Sequence, residues 1–423
     1  MIKVNQNIQN LKPSATLAIN QKVVALREKG ETIFHFGFGQ SPFPIHQSIV
    51  NALKDNATNN HYLPTIGLDV LRNTIAKFLE KHQGIKAESD FIYIGPGSKE
   101  LLYQTILILD STFLIPKGSW VSYGPQINSK NGDYVILETS LKNNFKLTSD
   151  ILSAYCEANH NLQQALILNS PNNPTGAVYT DEELEQLAVV CRENDIIVLS
   201  DEIYSQINFN EDFSPSISKF YPEKTIVFGG LSKVFSAGGY RLGFMSLPKD
   251  LQFLHNTYRS MFSETFSAVS SPIQFAAIEA FKMNDDIKKQ IKDCSAILKG
   301  VSQYIALKLK EVNIECTEPQ GAFYMMIGFN NFKEQINTMG INTSTQLANY
   351  LLDNFSVALL PSSDFYFQKE ELFFRLAFVD FNGEEVLRAY RNNSSIDANF
   401  IKKFCSNIFG GIDKIIKFIK HLS

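Results

Sequence analysis

The chain has little of what marks several protein classes. Its 423 residues include five cysteines (Cys156, Cys191, Cys294, Cys316 and Cys405), odd in number, scattered and without metal-type spacing. That argues against a disulfide framework and against a metal site, and predicts reduced thiols in a cytoplasmic protein. No run of eighteen apolar residues occurs, and the first seven residues lack the apolar core of an export signal, so neither a membrane span nor a leader is expected. Basic runs and basic repeats are absent. With 39 Lys and Arg against 43 Asp and Glu, the net charge of −4 argues against a nucleic-acid surface. Internal repeats and low-complexity segments are missing too, which leaves an ordinary globular chain.

What is present fits that class. Hydrophobic residues make up 44% and charged residues 19%, and 33 Phe with 16 Tyr supply ample core and pocket material. The length exceeds what one core usually serves, so two domains are expected. A polar arm leads into a helix that runs to about Glu28 and stops at Gly30, and 32–38 reads as a strand ending in a turn-rich segment. From Asp90 onward strands alternate with helices, which predicts an α/β fold with a largely parallel sheet. Thr180-Asp181-Glu182-Glu183 is a capping-box pattern that starts a helix through Glu193. A long amphipathic helix over 286–311 is placed to bridge two domains. Beyond about Val312, short strands at 322–327, 357–360 and 372–378 predict a smaller α+β domain, followed by a helical tail over 381–423.

One stretch organises the chemistry. An apolar strand at 225–228 runs into Gly229-Gly230-Leu231-Ser232-Lys233-Val234-Phe235-Ser236-Ala237-Gly238-Gly239-Tyr240-Arg241. Glycine lets a backbone crowd a ligand, and a lysine in such a pocket can lose its proton and form a Schiff base with a carbonyl cofactor. Arg241 can hold a phosphate through its fork. A solvated lysine in a glycine-rich loop would read the same way.

Other positions supply matching parts. Gly97-Ser98-Lys99 turns a strand into a helix, so free N–H groups there form a phosphate cradle, although plain strand–helix turns look alike. Asp201 ends a predicted core strand (196–199 plus Ser200), where ligands meet open α/β sheets. A buried carboxylate there needs a cationic partner, and a protonated pyridine nitrogen would serve. A helix-capping Asp is the plainer reading. Asn173, in a Pro/Asn/Gly turn, and Tyr204 can each donate to a phenolate oxygen. Trp120, the only tryptophan, can stack on a flat ring or simply fill core. Arg375 sits inside an apolar strand and must find an anion, for which a carboxylate suits its fork.

In order and approximate spacing these residues resemble the fold-type I pyridoxal 5′-phosphate (PLP)-dependent aminotransferases of class I/II, the aspartate aminotransferase-like family. Pro171-Asn172-Asn173-Pro174-Thr175-Gly176, Ser200-Asp201-Glu202-Ile203-Tyr204, and Ser232-Lys233 with Arg241 eight residues on carry the match over about residues 8–380. Leu11-Lys12-Pro13-Ser14-Ala15-Thr16 and Tyr62 with Gly67 and Leu71-Arg72 add to it.

The resemblance implies a three-layer PLP-transferase fold: an arm and a segment packing with the small domain at 1–45, a large PLP-binding domain at 46–300, and a small domain at 301–423. It implies that Lys233 holds the cofactor as a Schiff base and moves the proton between Cα and C4′. Asp201 would pair with the pyridine nitrogen, Asn173 and Tyr204 with O3′, and Trp120 with the ring. Gly97, Ser98 and Arg241 would bind phosphate, with Tyr62 reaching it from the other subunit of a homodimer that shares its active sites. Arg375, Asn173 and the Gly39 backbone would hold the substrate α-carboxylate, and Lys99 the distal carboxylate of aspartate or glutamate. The implied reaction is ping-pong transfer of an amino group between an L-amino acid and a 2-oxo acid.

Three departures stand out. Gly230 replaces a serine often found three residues before the lysine, which predicts a phosphate cup with one hydroxyl fewer. Gly39-Gln40-Ser41-Pro42-Phe43 replaces the usual Gly-Glu-Pro-Asp opening. The tail from Glu384 to Ser423 carries extra residues with no assigned role. Phe43 and Phe365-Tyr366-Phe367 would equally favour an aromatic or apolar substrate, while Lys99 also reads as a plain surface lysine. A carbon–sulfur β-lyase on the same fold is the alternative activity. A PLP-binding transcription regulator is disfavoured, because the resemblance begins near residue 8 and leaves no room for a DNA-binding module.

Overall fold

The computed structural model describes residues 3–9, 11, 13–159, 163–393 and 395–422. Lys12 of the N-terminal motif lies outside them. In chain order the first strands are β1 (Phe34–His35), β2 (Ile92–Gly95), β3 (Thr112–Pro116), β4 (Tyr134–Leu137), β5 (Gln164–Asn169), β6 (Ile197–Asp201), β7 (Thr225–Gly230) and β8 (Gly243–Ser246). Seven of them form one sheet in the order β2-β8-β7-β6-β5-β3-β4. Only β8 runs against its neighbours; the remaining pairs are parallel.

Strands β5, β6 and β7 are buried along their whole length, as continuous apolar runs are when helices cover both faces. Alternate residues point to opposite faces. Ile115, Ile167, Leu199 and Phe228 pack with Leu101, Leu102 and Ile106 of the helix Ser98–Ile108. Leu114, Leu166 and Val198 pack instead with Leu152 of Ser149–Ala158 and with Leu184 and Leu187 of Asp181–Glu193. The result is three layers. The expected capping box starts the last of these helices: Glu183 N–H donates to Thr180 Oγ1 and Thr180 N–H to the Glu183 carboxylate.

The second unit is built from β9 (Glu315–Cys316), β10 (Tyr324–Gly328), β11 (Val357–Ala358), β12 (Leu360–Pro361) and β13 (Phe373–Ala377). Four of these form an antiparallel sheet in the order β12-β13-β10-β9, while β11 pairs in parallel with β1. The single strand expected at 357–360 is therefore split, because its two halves bond to different sheets. The strand expected at 32–38 shrinks to β1, since the chain leaves the pairing at Phe36 to run toward the cavity described below. Helix Asp285–Lys310 joins the units: Ile287 and Ile291 pack with Phe281 beside the large sheet, and Ile297, Val301 and Ile305 pack with Phe323 and Phe374.

The tail forms helices Gly383–Asn393, Ala398–Phe404 and Ser406–Leu422. Ile408, Ile412, Ile415 and Phe418 of the last helix are buried in the cluster that holds Phe36 and Phe374. The extra residues thus have a role: they close the small unit's core over β1. No helix among the described residues is long and apolar enough to cross a membrane.

Candidate active site

Strands β5, β6 and β7 end at one edge of the sheet, and the turns that follow them line a cavity of about 420 Å³. Such edges are where open α/β sheets place their ligands, because backbone groups and side chains emerge there without strand partners. Strand β6 delivers Asp201, the turn after β5 brings Asn173, and the loop after β7 brings Lys233.

Asp201 is buried. Tyr123 Oη donates to its Oδ2 at 2.8 Å and the Ile203 N–H reaches Oδ1 at 3.4 Å. Loss of hydration pushes its pKa up to about 6, held from rising further by the Tyr123 and Ile203 hydrogen bonds and by the charge of Lys233. Asn169 braces this corner, donating from Nδ2 to the Asp201 carbonyl at 2.7 Å and accepting the Asn173 N–H on Oδ1 at 2.8 Å. Lys233 Nζ donates to the Gly39 carbonyl at 2.8 Å and lies 5.7 Å from the Tyr204 ring centre. The Gly39 carbonyl, rather than its N–H, therefore faces the lysine.

Gly97 precedes the first turn of helix Ser98–Ile108 with φ +106°, and a side chain there would come within 2.6 Å of Arg241 Nη2. Arg241 donates to the Gly238 and Pro96 carbonyls at 2.9 and 3.1 Å, which fixes its fork beside the free amides of that turn. Trp120 meets Tyr123 edge-on at 5.4 Å, and Lys99 Nζ lies 5.2 Å from the Trp120 ring centre.

Arg375, on β13, is 1% exposed. It donates to Gly37 O at 2.6 Å and to Asn173 Oδ1 at 3.1 Å, while Nε has no hydrogen-bond partner. Its guanidinium is sandwiched by Tyr324 and Phe365, 4.7 and 5.3 Å from the ring centres. Both bonds go to neutral oxygens, so burial lowers the guanidinium pKa and leaves an incoming carboxylate favoured.

The cavity gathers every site residue picked out in the sequence except Tyr62, which lies outside it and is 96% exposed. Three expectations change. Phe43 is core, edge-on to Phe381, and does not line the cavity. Phe365, Tyr366 and Phe367 do not line it either, because their loop clamps the two units together. Gly118 N–H donates to Phe365 O at 3.0 Å, Tyr366 Oη donates to Trp120 O at 3.1 Å, and Gly124 N–H donates to Tyr366 Oη at 2.8 Å. Gly230 is forced by the fold: a Cβ there would lie 2.8 Å from the Gly243 Cα across the β7–β8 pairing, so a serine has no room.

Sequence reasoning missed Tyr324 as a wall residue and Tyr123 as the partner of Asp201. Tyr123 lies three residues after Trp120, and nothing local to the sequence marked it as a partner of Asp201. Tyr324 looked like any aromatic in a buried strand.

The donor set fits PLP. A buried carboxylate suits a ring N–H, an amide turn with an arginine suits a phosphate, a lysine suits an aldehyde, and the partnerless Arg375 Nε suits a carboxylate.

Comparison with known proteins agrees. The family model of aminotransferase class I and II matches residues 31–391. The chain is 31% identical over 372 residues to the aspartate aminotransferase of Bacillus subtilis (strain 168), covering 86% of this chain and 92% of that protein. It is 30% identical over 375 residues to the asparagine–oxo-acid transaminase of Streptococcus mutans, covering 86% and 92%. The fold matches that of the Thermus thermophilus aspartate aminotransferase with a TM-score of 0.84 at 24% identity, over 99% of this chain and 100% of that one. Both relatives are named for amino transfer, and the β-lyase alternative is not favoured. The chain belongs to the class I and II aminotransferases, PLP-dependent enzymes that pass an amino group between amino acids and 2-oxo acids.

Proposed function

We propose that the enzyme uses aspartate or glutamate as one amino donor, in two half-reactions on one site. The observation that carries this is a pair of cations in one cavity. Arg375 has a partnerless Nε, and Lys99 forms no ion pair among the described residues. A dicarboxylic amino acid satisfies both: Arg375, Asn173 and the Gly39 N–H take the α-carboxylate, and Lys99 takes the distal one. Relatives named aspartate aminotransferase support the same donor.

When bound, PLP supplies an aldehyde that accepts the amino group and a ring that withdraws electrons from Cα. Lys233 would be the base that takes the Cα proton and returns it to the cofactor's C4′, with its Nζ 5.7 and 5.5 Å from the ring centres of Tyr204 and Phe323. Asp201, as the carboxylate, would pair with the ring nitrogen and keep a proton there. Asn173 and Tyr204 would donate to the ring oxygen, Trp120 would stack on the ring, and Gly97, Ser98 and Arg241 would bind the phosphate. Tyr62, pointing into solvent, completes the phosphate site of a second copy in a homodimer. The chain divides into an arm and segment at 1–45, a large domain at 46–300 and a small domain at 301–423. Pairing of β1 with β11 supports grouping the first segment with the last. Five free cysteines fit a cytoplasmic protein.

The test is a half-reaction screen: each amino acid is added to the cofactor-loaded enzyme and loss of the visible band is timed. Aspartate or glutamate should react fastest. Lys99→Ala should lower kcat/KM for them by about tenfold or more, the worth of a hydrogen bond to a charged group, while alanine as donor is spared. Equal loss for alanine, or no loss, ends the acidic-donor reading.

A further inference from the structure

Tyr324 is 1% exposed, lies on β10 and forms part of the cavity wall. Its hydroxyl touches two groups: the Gly39 carbonyl, to which it donates at 3.3 Å, and Tyr204 Oη at 3.0 Å. The two rings meet edge-on at 5.8 Å. Gly39 has to be glycine here, since a Cβ would overlap the Tyr324 hydroxyl.

Counting protons fixes the direction of the chain. A carbonyl only accepts, so Tyr324 spends its single proton on Gly39 O. In the tyrosine pair Tyr204 must then be the donor, and its own proton is spent on Tyr324. In this arrangement Tyr204 has nothing left to donate to the ring oxygen of a bound cofactor. One rotation corrects this: Tyr324 turns its proton from Gly39 O to Tyr204 Oη, which frees Tyr204 to donate into the cavity. Gly39 O keeps a donor in Lys233 Nζ whenever that amine is free.

We propose that Tyr324 is a positioning residue whose hydroxyl switches between the Gly39 carbonyl and Tyr204, and so decides whether Tyr204 can donate to the cofactor. Donation through Tyr204 strengthens when Tyr324 donates behind it, because hydrogen bonds in a chain polarise one another. The proposal rests on the reading of Tyr204 as the donor to the ring oxygen. It assigns Tyr324 a role exerted through Tyr204.

The readout is the pH midpoint of the bound cofactor's visible band. A hydrogen bond to the ring oxygen favours its anionic form and lowers that midpoint. Tyr324→Phe keeps the ring that packs under Arg375 and removes only the hydroxyl. The midpoint should rise by roughly 0.3 to 0.5 pH unit, and the Kd for PLP should rise two- to threefold, with thermal unfolding unchanged as the check on folding. Tyr204→Phe should raise the midpoint further, and adding Tyr324→Phe to it should change nothing more. An unchanged or lowered midpoint in Tyr324→Phe overturns the switch while leaving the Tyr204 reading intact. An equal shift in the Tyr204→Phe background also overturns it, because Tyr324 would then act by another route. No shift in Tyr204→Phe removes the reading on which the proposal stands.

Discussion

A single carboxylate shows how far this site sacrifices stability for function. Asp201 is an ordinary acid in the unfolded chain, but burial lifts its folded pKa to about 6. An acid with a raised folded pKa favours folding while it is protonated, and that contribution is lost as pH rises from the unfolded value of 3.8 through about 6. Its neighbour Glu202, held by Ser200, Ser216 and Gln83, is likewise pushed up by burial, to about 7. Asp201→Asn removes one of these two penalties. In the cofactor-free protein the variant should gain on the parent by about 3 kcal/mol between roughly pH 4 and pH 7, measured by urea unfolding. His35, whose pKa burial drives down to about 4, opposes the trend in both proteins and cancels in the comparison. The same variant should bind PLP more weakly and lose most of its activity, since the ring N–H then faces a neutral amide. A variant no more stable than the parent at neutral pH would show that Asp201 is not strained.

Elements position these residues through a few long-range ties. The loop carrying Tyr366 reaches from the small unit to Trp120 and Gly124, and its Phe365 lies against the Arg375 guanidinium, so Trp120 and Arg375 share one support. Lys117 adds a charge tie across the same boundary, to Glu371 at 3.4 Å, while also pairing within the large unit with Glu138 at 2.6 Å. At the opposite side, helix Ser406–Leu422 lies so close to β1 that a Cβ on Gly411 would overlap the Phe36 ring. Gly411→Ala adds intrinsic helix propensity worth about 1 kcal/mol, but overpacking a filled core costs roughly 1–3 kcal/mol. The net expectation is a loss of up to about 2 kcal/mol, read from urea unfolding. Because Phe36 lies next to Gly37, whose carbonyl anchors Arg375, KM for the amino acid should also rise. A stabilised Gly411→Ala protein would mean that the helix sits farther from β1.

For the whole molecule, Tyr62 is the one candidate site residue that stands outside the cavity of its own chain. A tyrosine 96% exposed, with its ring in solvent, is a poor use of an aromatic unless another surface covers it. The homodimer reading predicts a dimer mass by sedimentation velocity. Tyr62→Phe should raise the Kd for PLP about tenfold although the residue lies outside its own chain's cavity. A fully active monomer would remove the shared-site proposal.

The strands of the large sheet and the residues at their ends were legible from the sequence alone. Continuous apolar runs bounded by glycine and proline define buried parallel strands, and Asp201, Asn173 and Lys233 sit within a few residues of those runs. Periodicity and turn chemistry are local properties, so they survive without a structure. The division of 357–360 between two sheets, the work of the C-terminal helix, the withdrawal of 365–367 from the substrate pocket and the pairing of Tyr204 with Tyr324 had no local signature. Each depends on contacts between distant residues: Tyr204 and Tyr324 are 120 positions apart, Gly124 and Tyr366 are 242, and Gly37 and Arg375 are 338. The sequence by itself determined the largely parallel sheet and the family, and singled out the lysine. Only the tertiary structure decided which aromatic walls the cavity and which one clamps the domains, because the residue type is the same and only packing separates the roles.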